Sequence, residues 1–271
     1  MSKYTVVIID SDHSEVFREV AESVHYGLIA LGHESMIATV GRPAPLAGGR
    51  IPIILGWNLL DLNQVSLPFE SILYNLEQAG SRWLTRERLE PFKGLQFWDW
   101  HHESTAELLS YGHNVKHVPL GYVPEWQRIQ PAKEQDIDVL FYGSMNERRH
   151  AVLRKMSERL KVVHMYRAYG AKRDEFIARS KVVLNMHYDD DGCFEVARVG
   201  YLLANRALVL SETSRGAEGF EDGVFFSQYD DLAQMAVNLS TSTAYFRGCY
   251  ASRGFDAIVA RPMTEFLRSV T

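Results

Sequence analysis

Short apolar runs rich in β-branched residues alternate with amphipathic stretches along the whole chain. The run at residues 4–9 is followed at once by polar residues, which is typical of a strand buried on both faces of a parallel sheet. Apolar positions then recur every three or four residues from 16 to 31, and this predicts a helix that ends at Gly32. A second apolar run at 35–40 completes a strand–helix–strand unit.

The same alternation continues to the end of the chain and is interrupted by a polar linker over 127–135. Strands that alternate with helices form parallel sheets joined by right-handed crossovers. We therefore predict an α/β fold with two domains, 1–127 and 136–271, and the last helix can pack back on the first domain. The predicted strands cover 4–9, 35–40, 51–55, 71–75, 95–98, 116–119, 138–142, 161–165, 181–186, 207–210 and 223–226, and the predicted helices cover 16–31, 104–111, 147–160, 173–179, 194–204, 229–240 and 242–270.

Composition narrows the class of protein. Of 271 residues, 46% are hydrophobic and 23% are charged, which excludes collagen-like, disordered and coiled-coil proteins. The net charge of -5 disfavours a protein whose main task is to coat nucleic acid, although it does not exclude a local basic groove. The two cysteines, Cys193 and Cys249, are typical of a reducing compartment, and no apolar stretch is long enough to span a membrane. We expect a cytoplasmic protein, and no cysteine or histidine spacing indicates a metal.

Ligands of parallel α/β sheets bind beyond the carboxyl ends of the strands, so the residues after each strand are the candidates. In the second domain, Gly143 and Ser144 follow a strand and let a ligand approach the backbone. Asn146, Arg148 and Arg149 then fall in the first turn of a helix, whose free N–H groups favour an anion. Arginines at a helix N-terminus oppose the helix dipole, and this cost is offset if they neutralise a bound phosphate. The alternative is a solvated arginine pair on an exposed turn.

The next strand of this domain is followed directly by His187 and Tyr188. The acidic run at 189–192 lacks the alternating spacing of a calcium loop and favours a solvated turn. Glu195 and Arg198 share one face at the start of the following helix, where a carboxylate can accept hydrogen bonds from ribose hydroxyls. The alternative for this pair is an ordinary ion pair within the helix, and for His187 a structural role.

In the first domain, we predict the catalytic base among Asp12, His13 and Glu77, which follow the first and fourth strands. A histidine or carboxylate at such a position can deprotonate a hydroxyl acceptor. Further polar and aromatic residues at strand ends carry weaker signals, and capping or packing explains them equally well; they are Asp10, Trp57, Asn58, Gln78, Asp99, His101 and His102.

The order of these segments resembles the GT-B glycosyltransferases, and within them the bacterial spore-maturation-type glycosyltransferase-like group. The similar segments are ILYNLEQ (72–78), HVPLGY (117–122), DVLFYGSMNERR (138–149), KVVLNMHY (181–188) and FEVARVGYLLANRALVLSE (194–212). The resemblance implies two Rossmann-like domains that face each other across a cleft. It also implies transfer of a sugar from a nucleotide-diphosphate donor to a hydroxyl of a glycan, a lipid-linked sugar or a small molecule.

The resemblance also implies roles for the candidate residues. The C-terminal domain would bind the donor, the N-terminal domain would hold the acceptor, and neither a cofactor nor a metal would be needed. The diphosphate would lie against Gly143, Ser144, Arg148 and Arg149, and the nucleotide and sugar against His187, Tyr188, Glu195 and Arg198.

Three questions stay open at this point. The chain lacks a second glutamate seven residues from Glu195, so the sequence does not choose between retention and inversion. The acceptor could be a DNA base, which the acidic balance disfavours and a basic patch of Arg82, Arg86, Arg88 and Lys93 favours. The chain could also be a non-catalytic nucleotide-sugar-binding module, and it is short enough for this fold to need a partner protein or a second copy.

Overall fold

The computed structural model describes residues 1–11, 14–41, 49–60, 66–190 and 192–271. These residues form two compact units, Met1–Val123 together with Pro262–Thr271, and Pro124–Arg261. Each unit contains one sheet of parallel strands with helices between them. The predicted α/β class with two Rossmann-like parallel-sheet domains is therefore confirmed.

The N-terminal unit is built on a six-stranded sheet with the strand order β2-β1-β3-β4-β5-β6. Its elements are β1 (Lys3–Ile9), α1 (Arg18–Ala30), β2 (Glu34–Val40), β3 (Ile51–Leu55), β4 (Ile72–Asn75), α2 (Arg86–Leu89), β5 (Gln96–Asp99), α3 (His102–Ser110) and β6 (Asn114–His117). Strand β1 is buried along most of its length because it pairs with a parallel strand on each side. Trp57 packs edge-on against Phe92 and Phe97 in the apolar core beneath this sheet.

The C-terminal unit is built on a five-stranded sheet with the order β11-β10-β9-β7-β8. Its elements are β7 (Ile137–Tyr142), α4 (Glu147–Ser157), β8 (Val162–Met165), α5 (Gly170–Ala178), β9 (Ser180–Asn185), α6 (Val196–Ala204), β10 (Val209–Glu212), β11 (Phe225–Ser227), α7 (Leu232–Thr241) and α8 (Ala244–Val259). Its central strands are apolar on both faces and form the core with α4 and α7. The parallel register brings the carboxyl ends of β7, β9 and β10 to one edge.

The single helix expected over 242–270 is wrong. Helix α8 ends at Val259, and a separate short helix, α9 (Met263–Arg268), follows Pro262. Proline has no N–H and disfavours a helical residue before it, so the helix cannot continue through this position. Helix α9 belongs to the N-terminal unit, where the Met263 N–H donates to the Tyr122 carbonyl at 2.9 Å.

Helix α9 lies so close to α1 that a Cβ at Gly27 would approach the side chains of Leu267 and Met263 to 2.8 Å. The glycine therefore allows the two helices to pack. Among the helices of the described residues, none combines the length and the apolar character that crossing a bilayer requires.

Candidate functional site

In the turn between β7 and α4, a glycine and a helix-capping asparagine stand at the positions where the backbone conformation favours them. Gly143 adopts φ 149°, in the region that favours glycine, and a Cβ there would lie 3.4 Å from Nη2 of Arg198. Asn146 caps α4, since its Oδ1 accepts from the Arg149 N–H at 2.9 Å. Its Nδ2 donates to the Tyr188 carbonyl at 2.6 Å. Asn146 therefore joins the start of α4 to the loop that follows β9.

Arg149 is buried beneath the same loop, with 4% of its side chain exposed. Its Nε donates to the His187 carbonyl at 3.0 Å, and its Nη1 donates to the Ser144 carbonyl at 2.9 Å. Its Nη2 donates to the Met186 carbonyl and lies 4.0 Å from Oε1 of Glu195. Burial lowers the pKa of this guanidinium, while the Glu195 carboxylate opposes that change. The side chain is held rigidly by carbonyl groups on three sides.

Glu195 and Arg198 form the second part of the site at the start of α6. Nη1 of Arg198 lies 3.2 Å from Oε2 of Glu195, and its guanidinium lies 4.9 Å from the centre of the Tyr142 ring. The ion pair considered for these two residues is therefore present. The Glu195 side chain caps no N–H of α6, and it lies between Arg198 and Arg149. We call Arg149, Glu195 and Arg198 the arginine–glutamate cluster. Its two cations and one carboxylate leave one positive charge.

Arg148 is the neighbour of Arg149 but makes different contacts. Its guanidinium donates to both carboxylate oxygens of Glu212, at the end of β10, and its Nε donates to Asp190 at 2.6 Å. These bonds, those with Glu212 first, raise the pKa of Arg148. The guanidinium also lies 4.1 Å from the centre of the Tyr229 ring. Two carboxylates therefore neutralise Arg148, and it links α4 to β10.

His187 is buried at the centre of these contacts. The backbone N–H of His187 donates to Oε2 of Glu212 at 3.1 Å, and the ring Nε2 lies 2.9 Å from Oγ of Ser214. A Cβ at Gly192 would come within 2.2 Å of the His187 ring, so only glycine fits beside it. Tyr188, the next residue, is 49% exposed at the edge of the site.

The structure thus gathers the predicted residues of the C-terminal unit at one sheet edge. The Ser144 carbonyl accepts the hydrogen bond from Arg149, and the residue itself is exposed. Glu212 and Ser214 were not among the predicted site residues. Glu212 is the last residue of β10 and follows the predicted strand 207–210, so its position at a strand end can be read from the sequence. Its pairing with Arg148 and the contact of Ser214 with His187 cannot be read there.

In the N-terminal unit, Asp12 and His13 lie outside the described residues. Glu77 follows β4, and its Oε1 accepts from Nδ2 of Asn58 at 3.0 Å. Burial raises the pKa of Glu77, and Arg82 and the Asn58 hydrogen bond partly oppose this effect. A carboxylate with a raised pKa and one engaged oxygen is suited to accept a proton.

Asp99 is the last residue of β5, the strand that pairs with β4, and its side chain is fully buried. It accepts from Oγ of Ser104 at 2.6 Å, from the His101 N–H at 2.8 Å and from Nδ2 of Asn75 at 2.7 Å. Burial raises the pKa of Asp99 to about 6 despite these bonds. His101 caps α3 through Nδ1. Asp99 and His101 therefore hold the turn at the end of β5.

No protein-family model and no curated protein sequence matches the chain. Comparison with solved structures finds HepE from Anabaena in complex with UDP and glucose, with a TM-score of 0.67, 9% identity and coverage of 100% of this chain and 98% of HepE. It also finds a DNA-modifying β-glucosyltransferase solved with and without its substrate UDP-glucose, with a TM-score of 0.61, 10% identity and 98% coverage of both chains. A glycosyltransferase from Rickettsia africae has a TM-score of 0.52 at 11% identity and covers 99% of this chain and 97% of its own.

These structures are GT-B glycosyltransferases. The chain has the GT-B fold. At identities of 9% to 11% the likeness is one of fold, and the residues of the site must support the chemistry.

Proposed function

We propose that this protein is a glycosyltransferase that moves a sugar from a nucleotide-diphosphate donor to a hydroxyl acceptor without a metal. The observation that carries the proposal is the arginine–glutamate cluster at the starts of α4 and α6, which leaves one positive charge beside two helix N-termini. Such a place favours a diphosphate, and the Glu195 carboxylate beside it can accept hydrogen bonds from sugar hydroxyls. The fold is shared with HepE and β-glucosyltransferase, which were solved with UDP or UDP-glucose.

In this proposal the residues of the C-terminal unit divide the donor between them. Arg198, Arg149 and the backbone at Gly143 and Ser144 neutralise and bind the diphosphate, and Glu195 accepts hydrogen bonds from ribose or sugar hydroxyls. Four more residues hold the site in place or border the nucleotide and sugar: Asn146, Arg148, His187 and Tyr188. Arg148 acts through its contacts with Glu212 and Asp190.

The chemical step needs a proton acceptor and a stabilised leaving group. Glu77 takes the proton of the acceptor hydroxyl, whose oxygen attacks the anomeric carbon as the bond from that carbon to the phosphate oxygen breaks. The nucleoside diphosphate leaves with the electron pair, and the arginines stabilise its developing charge. Asp12 and His13 are the other candidates for the base. Since the arginines replace a divalent cation, activity should persist in EDTA.

The direct test is to incubate the protein with a panel of nucleotide sugars and hydroxyl acceptors and to measure nucleoside diphosphate release. UDP binding is measured separately by calorimetry. Glu195→Gln and Arg198→Ala should each weaken UDP binding by about tenfold or more, because each removes a charge-assisted contact. The matched control is Glu175→Gln, which removes an exposed carboxylate that pairs with Arg179.

Two outcomes contradict the proposal. If both site variants bind UDP as the wild type does, the donor site has been assigned wrongly. If UDP binds but no acceptor supports release, the protein is a non-catalytic nucleotide-sugar-binding module.

A second candidate acceptor is a DNA base, and a surface of the N-terminal unit favours it. The guanidinium groups of Arg82 and Arg88 lie 5.0 Å and 4.7 Å from the Trp83 ring, and that of Arg86 lies 4.9 Å from the Tyr111 ring. A DNA-modifying enzyme is among the structures of the same fold. Duplex binding that weakens with salt and is lost in Arg82→Ala/Arg88→Ala would support it.

We also propose a finer placement and a location. The five similar segments support membership of the spore-maturation-type group, and this placement predicts that a bacterial glycan is modified. Among the described residues, neither Cys193 nor Cys249 forms a disulfide, which supports a reducing, cytoplasmic location.

A further inference from the structure

A cavity lies in the C-terminal unit, at the amino ends of its strands, opposite to the ends that carry the arginine–glutamate cluster. Its volume is about 350 Å³, and it is lined by residues around the starts of β9 and β10 and by the first two turns of α8. Strand β9 has six residues, so about 20 Å of strand separates the two places. The cavity is therefore not part of the proposed donor site.

The charged side chains that line this cavity are all cationic. They are Lys133, Lys181, Arg206 and Arg247, and no described lining residue is an aspartate or glutamate. Lys181 is paired with Asp138 at 2.7 Å. Within the described ranges, no carboxylate forms an ion pair with any of the other three cations. The cavity therefore carries an excess of positive charge that no carboxylate of the described chain neutralises.

Arg206 occupies a backbone position that favours glycine. It follows the last turn of α6 with φ 54°, where its N–H donates to the Leu203 carbonyl and the Ala207 N–H donates to the Leu202 carbonyl. This pair of bonds is the helix ending in which glycine is the usual residue. An arginine with left-handed backbone is strained, and such strain is concentrated at functional sites. The guanidinium lies 3.7 Å from the centre of the Phe255 ring, which fixes its position beside the cavity.

Arg247 provides a second observation that is independent of Arg206. Its Nη1 donates to the carbonyls of Ser240 and Ser242, which holds the side chain in place. Its Nε is buried and has no hydrogen-bond partner among the described residues. A buried donor without a partner costs free energy unless a ligand or water accepts from it.

We propose that this cavity is a second binding site, specific for a small phosphorylated molecule. Arg206, Arg247 and Lys133 supply charge and N–H donors for a phosphate group, which arginine binds with two parallel hydrogen bonds. The lining also contains Ile177 and Leu208, which offer an apolar surface to the carbon skeleton of the ligand. A volume of about 350 Å³ lies in the range typical of metabolite sites.

The test uses the full chain and three probes: inorganic phosphate, glucose 6-phosphate and glucose. Calorimetry should show millimolar or tighter binding of glucose 6-phosphate and no binding of glucose. Arg206→Gly should weaken the binding by about tenfold or more, because it removes a phosphate contact. The same change suits the left-handed backbone, so the melting temperature should stay the same or rise. Lys133→Ala should also weaken binding, and the matched control Lys155→Ala, an exposed lysine of α4, should not.

Arg198→Ala separates this site from the proposed donor site. It should leave glucose 6-phosphate binding unchanged while it weakens UDP binding, and Arg206→Gly should do the reverse. The proposal is overturned if neither phosphorylated probe binds, if glucose binds as well as glucose 6-phosphate, or if Arg198→Ala instead of Arg206→Gly removes the binding. None of these outcomes depends on whether the protein transfers a sugar.

Discussion

At the carboxyl ends of its strands, the N-terminal unit gathers carboxylates and amides, whereas the C-terminal unit gathers arginines. Glu77, Asn75 and Asp99 lie at the ends of β4 and β5, and burial raises the pKa of both carboxylates. The corresponding edge of the C-terminal unit holds Arg149 and Arg198 around one carboxylate.

The two sheets have the same parallel design, so the difference comes from the side chains. Desolvated carboxylates accept protons, and buried guanidinium groups bind anions. In the proposed function, the N-terminal unit would activate the hydroxyl and the C-terminal unit would hold the diphosphate.

Glu77→Gln is expected to have the largest effect. If Glu77 is the base, its replacement lowers kcat by about 10²–10⁴-fold and leaves UDP affinity unchanged. Glutamine retains the hydrogen bond from Asn58, so the fold is preserved. Because burial raises the pKa of Glu77, kcat/KM of the wild type should fall with decreasing pH above the usual carboxylate range, and this fall should disappear in the variant.

Glu70→Gln, which changes an exposed carboxylate of the same unit, is the control for this experiment. A Glu77→Gln enzyme with wild-type kcat would remove Glu77 from the mechanism. It would leave Asp12 and His13 as the candidates for the base.

The ion pair between Arg148 and Glu212 is tested by two substitutions, Arg148→Met and Glu212→Gln. Arg148→Met leaves the buried carboxylate of Glu212 without its cation, which costs about 3–5 kcal/mol of unfolding free energy. Glu212→Gln should cost less, because Arg148 keeps its contact with the exposed Asp190. The double variant removes both charges and should lose less than the two single variants together. Urea unfolding measures all three. Arg179→Met, at an exposed ion pair, should cost about 1 kcal/mol or less.

Additive losses in that cycle would show that Arg148 and Glu212 are not coupled. Arg148 would then be available to a ligand in the way that its position in the sequence suggests. The contrast between Arg148 and Arg149 would need another explanation.

Much of the framework follows from local pattern. The alternation of apolar strands and amphipathic helices predicts all the strands of the described sheets to within a few residues, because strands buried on both faces have continuous apolar runs. The rule of strand ends also indicates the positions of Gly143, Arg149, His187 and Glu195, since parallel strands bring their carboxyl ends to one edge.

The different contacts of adjacent residues cannot be predicted from the local sequence pattern. Arg148 and Arg149 are adjacent on α4, but successive helical residues point about 100° apart and meet different partners. The partner of Arg148 is Glu212, which is 64 positions away in the sequence. The end of α8 could have been predicted, because Pro262 interrupts the helical pattern there.

Asp99 offers a test of burial in the N-terminal unit through pH. Its folded pKa of about 6 lies above the ordinary value of 3.8, so the folded state binds the proton more tightly than the unfolded state. The contribution of Asp99 to the free energy of unfolding therefore decreases as pH rises from about 4 to about 6, by about 3 kcal/mol in total. Urea unfolding between these pH values should show the decrease in the wild type and lose this contribution in Asp99→Asn. An identical pH dependence in both proteins would show that Asp99 is not desolvated as the structure indicates.

Gly143→Ala tests the arginine side of the comparison with the smallest change. A Cβ at φ 149° is strained, and it would lie 3.4 Å from Nη2 of Arg198, so we expect a loss of about 1–3 kcal/mol in stability. UDP affinity should fall as well, because the strain is relieved by a shift of the backbone against which the diphosphate is proposed to lie. Gly41→Ala is the control, since a Cβ there meets no atom of the described residues within 4 Å and its φ lies outside the left-handed region. If Gly143→Ala loses stability but binds UDP normally, the diphosphate does not lie against this turn, and the positive charge of the cluster serves the fold instead.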